Sequence, residues 1–201
     1  MKKKWIIIVC MLFLLFIINS WFVMSGTSVS FDNSIYSFIK SFECGFLDKY
    51  FLFITKFGNP IVVVSIVLIF LVFNRNSKGL ILTSMGIVSF STNTFFKHIF
   101  KRERPAVLKM ITQGGYSYPS GHAMISVSIY GCMLYFVNKY IKNKWLRYAL
   151  NILLILLILS VGVSRIYLGV HYASDIVGGF LLALVELILL INISNKAFRG
   201  N

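Results

Sequence analysis

The sequence predicts an all-α membrane protein: six transmembrane helices forming a bundle, built as a single domain over residues 1–201. Three observations predict it. The residues are 58% hydrophobic, and the mean hydropathy is +0.82. A soluble domain is nearer half apolar, and 201 residues leave no room for a second globular module. Apolar runs close to the length of a bilayer crossing recur six times along the chain. The polar islands that break those runs, finally, fall on one side of the membrane.

A helical crossing takes about 20 apolar residues. The runs that qualify are Trp5–Met24, Phe51–Phe73, Gly79–Phe96, His122–Val137, Leu146–Val163 and Ile176–Ile193. The first follows Lys2, Lys3 and Lys4. Its apolar core is long for a signal peptide and no A-x-A pattern follows, so it reads as an uncleaved anchor. The shorter runs call for a thin local bilayer or for helices continued through flanking residues. Between the first two crossings, Phe31, Ile35, Phe38, Ile39, Phe42 and Phe46 recur at helical spacing. That pattern suits a helix lying along the outer interface, or a surface loop partly covering the bundle.

Charge supplies the orientation. The net charge is +14, from 20 Lys+Arg and 6 Asp+Glu. The basic residues sit in short clusters between apolar runs rather than along one polar face. This excludes nucleic acid as the favoured partner and points to the bilayer and its anionic head groups. With the N-terminus inside, eleven basic residues, Arg75 and Arg199 among them, are cytoplasmic and nine lie outside. Three of those nine are wanted for chemistry, and the rest are spread over longer loops. Both termini are therefore expected in the cytoplasm. The cysteines, Cys10, Cys44 and Cys132, are odd in number and form no CxxC pair, so neither a disulfide framework nor a metal site is indicated.

Three islands then demand an explanation, because charge beside hydrocarbon is costly and marks function by default. They are Lys97–Pro105 (KHIFKRERP), Pro119–His122 (PSGH) and Ser164–Asp175 (SRIYLGVHYASD). One loop joins the third and fourth crossings, and two crossings later the chain returns to the same face. All three islands thus emerge together, whichever way the protein is oriented. Lys97, Arg104 and Arg165 are cations suited to the spread charge of a phosphate. In PSGH, Ser120 can cap the following helix while Gly121 lets its backbone N–H approach an anion at the helix N-terminus. His171 and Asp175 are four apart, on one face if that segment is helical. There the carboxylate can accept the proton of one ring nitrogen and leave the other free as a nucleophile. His122 adds a second imidazole, and the set reads as an anion-processing centre.

Taken in order, Lys97-x6-Arg104-Pro105, Pro119-Ser120-Gly121-His122 and Ser164-Arg165-x5-His171-x3-Asp175 resemble the three-part signature of the type 2 phosphatidic acid phosphatase superfamily. Every specified position is met. The resemblance implies a six-span membrane phosphatase domain with its active site at the outer membrane–water interface. It implies metal-independent hydrolysis of a lipid phosphate or diphosphate, without a cofactor. His171 would form a phosphohistidine, Asp175 would orient it, and His122 would protonate the leaving oxygen. Lys97, Arg104, Arg165, Ser120 and Gly121 would hold the phosphoryl oxygens. The superfamily's soluble vanadium haloperoxidases are disfavoured by the six apolar runs. An outward site favours undecaprenyl diphosphate, with phosphatidylglycerol phosphate and phosphatidic acid as further substrates. A phosphotransferase sharing the same intermediate, and a non-catalytic anion-lipid binding or transport protein, stay open as alternatives. Oligomeric state is not legible.

The remaining polar residues read as structural. Lys101, Arg102, Glu103 and Lys109 look like a solvated or head-group-facing charge run. Glu186, about 16 Å along a helix from Asp175, is too deep for the same phosphate and should face the bundle interior. Asn93, one turn before Lys97, either lines the pocket or bonds a neighbouring helix. The 13 residues Ala106–Tyr118 leave little room for a lid, which suits a site reached sideways from the lipid.

Overall fold

A computed structural model of the chain describes residues 1–73, 77–107 and 109–197; Arg75 and Arg199 lie outside them. All regular structure among the described residues is helical. The elements are α1 (Lys3–Met24), α2 (Ser28–Lys40), α3 (Gly45–Ile54), a 3₁₀ turn (Thr55–Gly58), α4 (Pro60–Phe73), α5 (Ser77–Phe100), α6 (Gly121–Tyr140), α7 (Lys144–Tyr167) and α8 (Ala173–Ala197).

On length and apolarity, four of these helices can cross a membrane: α1, α5, α7 and α8. The expected crossing Phe51–Phe73 is broken. It falls within two helical segments, Gly45–Gly58 and Pro60–Phe73, which meet at 54° and form either a broken fifth span or a re-entrant loop. Pro60 explains the break, because it lacks an N–H and forces Asn59 into an extended conformation (ψ 133°). The expected crossing His122–Val137 lies in α6. His122, Ser126, Ser128, Gly131 and Asn138 dilute its apolarity, and it is not among those that qualify. Its dilution is tolerated because α6 is the central helix, packed by α5, α7 and α8 and buried continuously from Ser126 to Cys132.

The interfacial stretch begins as the helix α2, then turns at residues 41–44 before α3. Its amphipathicity is turned outward: Phe31 and Phe38 are 43% and 64% exposed, while Ser28 and Asp32 are fully buried. Ile35 and Ile39 pack beside them against Ile166, Ala173 and Ile176. Polar groups inward and rings outward suit a helix whose outer surroundings are apolar.

The C-terminal half of α1 and the N-terminal end of α8 are tied together through Tyr118. Its ring lies against Phe16 (centroids 6.2 Å apart) and Phe100 (5.0 Å). Asn19 Nδ2 donates to the Tyr118 hydroxyl at 3.0 Å and to the Ser174 carbonyl at 3.1 Å, and Ser20 Oγ lies 2.8 Å from the same hydroxyl. This fixes the turn that precedes α6. Replacing Tyr118 with Phe keeps the ring and removes one hydrogen bond from each of those two partners, which keep their bonds to the Ser174 and Phe16 carbonyls. The expected loss is about 0.5 to 1.5 kcal/mol, measured by equilibrium unfolding in mixed micelles.

Candidate active site

Each of the three islands folds for a local reason. Ser120 is the N-cap of α6, and its hydroxyl accepts from the Ala123 N–H at 3.5 Å. It is fully buried in that role. Gly121 follows as the first helical residue, and an added Cβ there would lie 2.9 Å from Asn93 Oδ1. Asn93 in turn donates to the Pro119 carbonyl at 3.0 Å, so it both lines the cavity and clamps the turn. At the start of α8, Asp175 accepts the Tyr172 backbone N–H at 2.9 Å. That is the reciprocal bond of a helix N-terminus, with the acid in the first turn where the helix dipole favours it.

The pair His171–Asp175 forms, although not across one turn of helix. His171 stands in the loop ahead of α8 and reaches Asp175 Oδ2 with Nδ1 at 3.2 Å. Ser117 donates its hydroxyl to the same carboxylate oxygen and leaves its own oxygen 3.3 Å from Nδ1. On the ring's other side, Arg104 Nη1 lies 3.1 Å from Nε2. A guanidinium only donates, so Nε2 carries a lone pair; a carboxylate only accepts, so Nδ1 carries the proton. The two neighbours agree on one neutral tautomer with Nε2 as the free nucleophilic atom.

Asp175 is fully buried, and its second oxygen is taken by Arg102 Nη1 at 2.6 Å. Arg102 also pairs with Asp32 at 2.7 Å, and its side chain is only 13% exposed. Burial alone would lower its pKa, but the carboxylates of Asp175 and Asp32 outweigh that and raise it. This corrects the reading of Lys101, Arg102 and Glu103 as one solvated run: Lys101 and Glu103 are exposed, whereas Arg102 turns inward.

The three cations named from the sequence are all committed to one loop. Arg104 donates to the carbonyls of Gly114 (2.9 Å), Gly115 (2.9 Å) and Tyr116 (3.2 Å), as well as Val170 (2.7 Å). Lys97 donates to the Tyr116 carbonyl. Arg165, 1% exposed, donates to Gln113 Oε1 at 2.7 Å and to Thr55 Oγ1 at 2.6 Å. Its Nε is buried with no partner among the described residues. A buried guanidinium with an unused donor, beside two more cations held by neutral groups, is an arrangement whose charge suits an anion.

Lys97, Arg104, His122 and His171 line one end of a cavity of about 600 Å³. The rest of the cavity is apolar and runs between α4 and α5, past Val63, Val64, Val67 and Leu68 on one side and Ile87 and Phe90 on the other. His122 makes no hydrogen bond to another described residue, and Gly58 gives it room: an added Cβ would lie 2.8 Å from its Cδ2. Sequence reasoning missed Gly58, Thr55, Gln113, Ser117, Asp32 and Arg102. Each acts across a long chain separation, and no spacing rule connects Arg102 to Asp32 or Thr55 to Arg165. Glu186 is buried and faces the bundle interior, with Thr92 as its side-chain neighbour.

A family model described as "PAP2 superfamily" matches residues 77–199, which include all three islands. The chain is 33% identical over 111 residues to phosphatidylglycerophosphatase B of Bacillus subtilis, covering 53% of this chain and 53% of that one. Thus it spans about half the length of that relative. It is 28% identical over 189 residues to an undecaprenyl-diphosphatase of Sulfolobus acidocaldarius, covering 90% of this chain and 87% of that one. The crystal structure of a transmembrane PAP2 type phosphatidylglycerolphosphate phosphatase from Bacillus subtilis superimposes with a TM-score of 0.87 at 25% identity, over 96% of this chain and 98% of that one.

The protonation state of His171 is open to direct measurement. Burial pushes its imidazole down to about 3, and Asp175, which pulls the other way, does not offset it. A lowered value means the ring stays neutral until the pH falls far below that of an ordinary histidine. In protein labelled with ¹⁵N-histidine, which has three histidines in all, the His171 ring should keep a protonated Nδ1 and an unprotonated Nε2 from pH 8 to pH 5. A His171 signal titrating near pH 6.5 would contradict this.

Proposed function

The chain belongs to the PAP2 superfamily, and from that membership we propose that it is an integral-membrane lipid phosphatase acting through a phosphohistidine at His171. One observation carries the reading: a neutral imidazole, oriented by Asp175 and offering Nε2 to a cluster of three cations, closes a cavity whose far end is an apolar groove between α4 and α5. A lipid phosphate matches both ends of such a cavity.

In this reading the phosphoryl group enters between Lys97, Arg104 and Arg165, which exchange the neutral oxygens of loop 113–116 for the anion. Arg104 leaves Nε2 for a phosphoryl oxygen. Nε2 then attacks phosphorus, and the bond from phosphorus to the leaving oxygen breaks. His122 protonates that oxygen. Charge develops on the His171 ring, whose Nδ1–H remains on Asp175. Water next attacks the phosphohistidine, with His122 taking its proton; inorganic phosphate departs and His171 returns to its neutral form. Arg165 Nε, which no described residue engages, supplies a further donor, and Gly121 opens the α6 N-terminus toward the anion. Ser120 acts on phosphate through this turn, which it caps. Such preorganised donors are each worth about 3 kcal/mol in a transition state.

The substrate proposed is undecaprenyl diphosphate, with phosphatidylglycerol phosphate or phosphatidic acid as secondary substrates. Both termini lie in the cytoplasm and the site faces the outer side, with α6 as a sixth crossing shielded by its neighbours. The asymmetry of basic residues supports this orientation. The lipid tail occupies the groove between α4 and α5 and reaches it sideways from the bilayer.

The test is phosphate release by purified protein in detergent micelles with EDTA, comparing the three lipids. Turnover should survive EDTA and vanish in His171→Ala, and Lys97→Met should lower kcat about 100-fold. Release that persists in His171→Ala, or no release from any of the three, would sink the reading. The groove is tested separately. Val67→Trp should lower kcat/KM for the long-chain lipids while sparing a short-chain water-soluble phosphate ester, which needs only the polar end.

A further inference from the structure

The signature residues do not account for what holds Asp175. Its outer oxygen is bound by Arg102 Nη1 at 2.6 Å, and Arg102 Nη2 is bound by Asp32 Oδ2 at 2.7 Å. Asp32 comes from α2, outside the residues 77–199 matched by the family. Each terminal nitrogen of Arg102 makes two hydrogen bonds. Arg102 Nη1 also donates to Ser174 Oγ (2.8 Å) and Nη2 to Ser28 Oγ (3.1 Å). Asp32 accepts from the Ser174 backbone N–H (2.9 Å) and hydroxyl (2.8 Å). The guanidinium lies 4.0 Å over the Tyr172 ring. Both carboxylate side chains are wholly buried, so their charges are weakly screened.

We propose that Asp32 and Arg102 are positioning residues for the reaction, a buried charge relay that sets both the aim and the strength of Asp175 toward His171. This rests on the reading of His171 as nucleophile. A carboxylate facing a lone guanidinium spends its charge on that partner and has little left to stabilise a ring that is turning positive. Asp32 neutralises Arg102 from behind, so Asp175 keeps its charge for His171. Arg102 meanwhile fixes the other oxygen, which leaves Oδ2 directed at Nδ1. The alternative is that the relay only fastens α2 to α8, and this would affect folding alone.

The experiment uses the full chain in micelles and the variants Asp32→Asn, Asp32→Glu and Arg102→Lys, with Asn33→Ala on the exposed side of α2 as control. Three quantities are read: kcat and KM for lipid-phosphate release, the thermal midpoint, and the ¹⁵N and ¹H signals of the His171 ring. Asp32→Asn should lower kcat by about 10- to 100-fold with KM unchanged, and should shift the His171 Nδ1–H signal. Asp32→Glu should recover most of the rate. Wild-type kcat in folded Asp32→Asn would overturn the proposal, as would a loss confined to KM or a ring signal that does not move. Should Asp32→Asn fail to fold, Arg102→Lys decides, since it keeps the charge but loses the two-pronged grip. A lowered kcat with a shifted ring signal supports the relay, and wild-type values of both overturn it. If the wild-type chain itself releases no phosphate, the proposed function falls, while the ring signal still decides whether Asp32 acts on His171.

Discussion

The burial of the Asp175 carboxylate is the constraint around which the rest of the protein is arranged. A charge wholly removed from water costs several kcal/mol unless it is paired and hydrogen-bonded on every side. Here each satisfying group comes from a different stretch: Arg102 from the segment after α5, Ser117 from the loop before α6, and His171 and the Tyr172 N–H from the approach to α8. The backbone joins in, for the Ser120 N–H donates to the Asp175 carbonyl at 3.1 Å. Bringing these segments to one carboxylate is the same act as bringing the three islands together. The site is therefore a condition of the fold at this end of the bundle, not an addition to it.

The cations follow a second rule. Lys97, Arg104 and Arg165 cannot stand together without an anion unless something tempers their repulsion. The carbonyls of Gly114, Gly115 and Tyr116 and the amide of Gln113 do so. Neutral oxygens are weaker partners than a phosphate by roughly the difference between a neutral and a charge-assisted hydrogen bond, about twofold. The arrangement therefore tempers the repulsion and still favours an anion. It gives the short loop a chemical task although it is too small to act as a lid.

Much of this was legible in the sequence, and the limits have physical causes. The apolar runs marked α1, α5, α7 and α8, and the three islands do converge, because topology alone put them on one side. Two of the six expected crossings take a form that the runs did not reveal, for opposite reasons. The run Phe51–Phe73 is apolar enough but cannot bend its hydrogen bonds around Pro60, while α6 is polar in places because its neighbours, rather than lipid, surround it. Arg102 read as solvated, since it stands between exposed Lys101 and Glu103 and its partner Asp32 is on another helix. Periodicity reports which face of an element is apolar. It does not report which distant carboxylate a lone arginine will find.

The helix α2 shows why that distinction matters in a membrane. In water, Phe31 and Phe38 would turn inward and Asp32 outward. Where the surroundings are apolar, exposing rings costs nothing, and the polar side chains gain most by finding one another inside. Asp32 and Ser28 then become available to Arg102 and through it to Asp175. An inverted amphipathic helix is thus able to deliver a charge to a buried site. An acid placed between lipid-facing aromatics is the sequence feature to examine when a family's known motifs leave a catalytic carboxylate half explained.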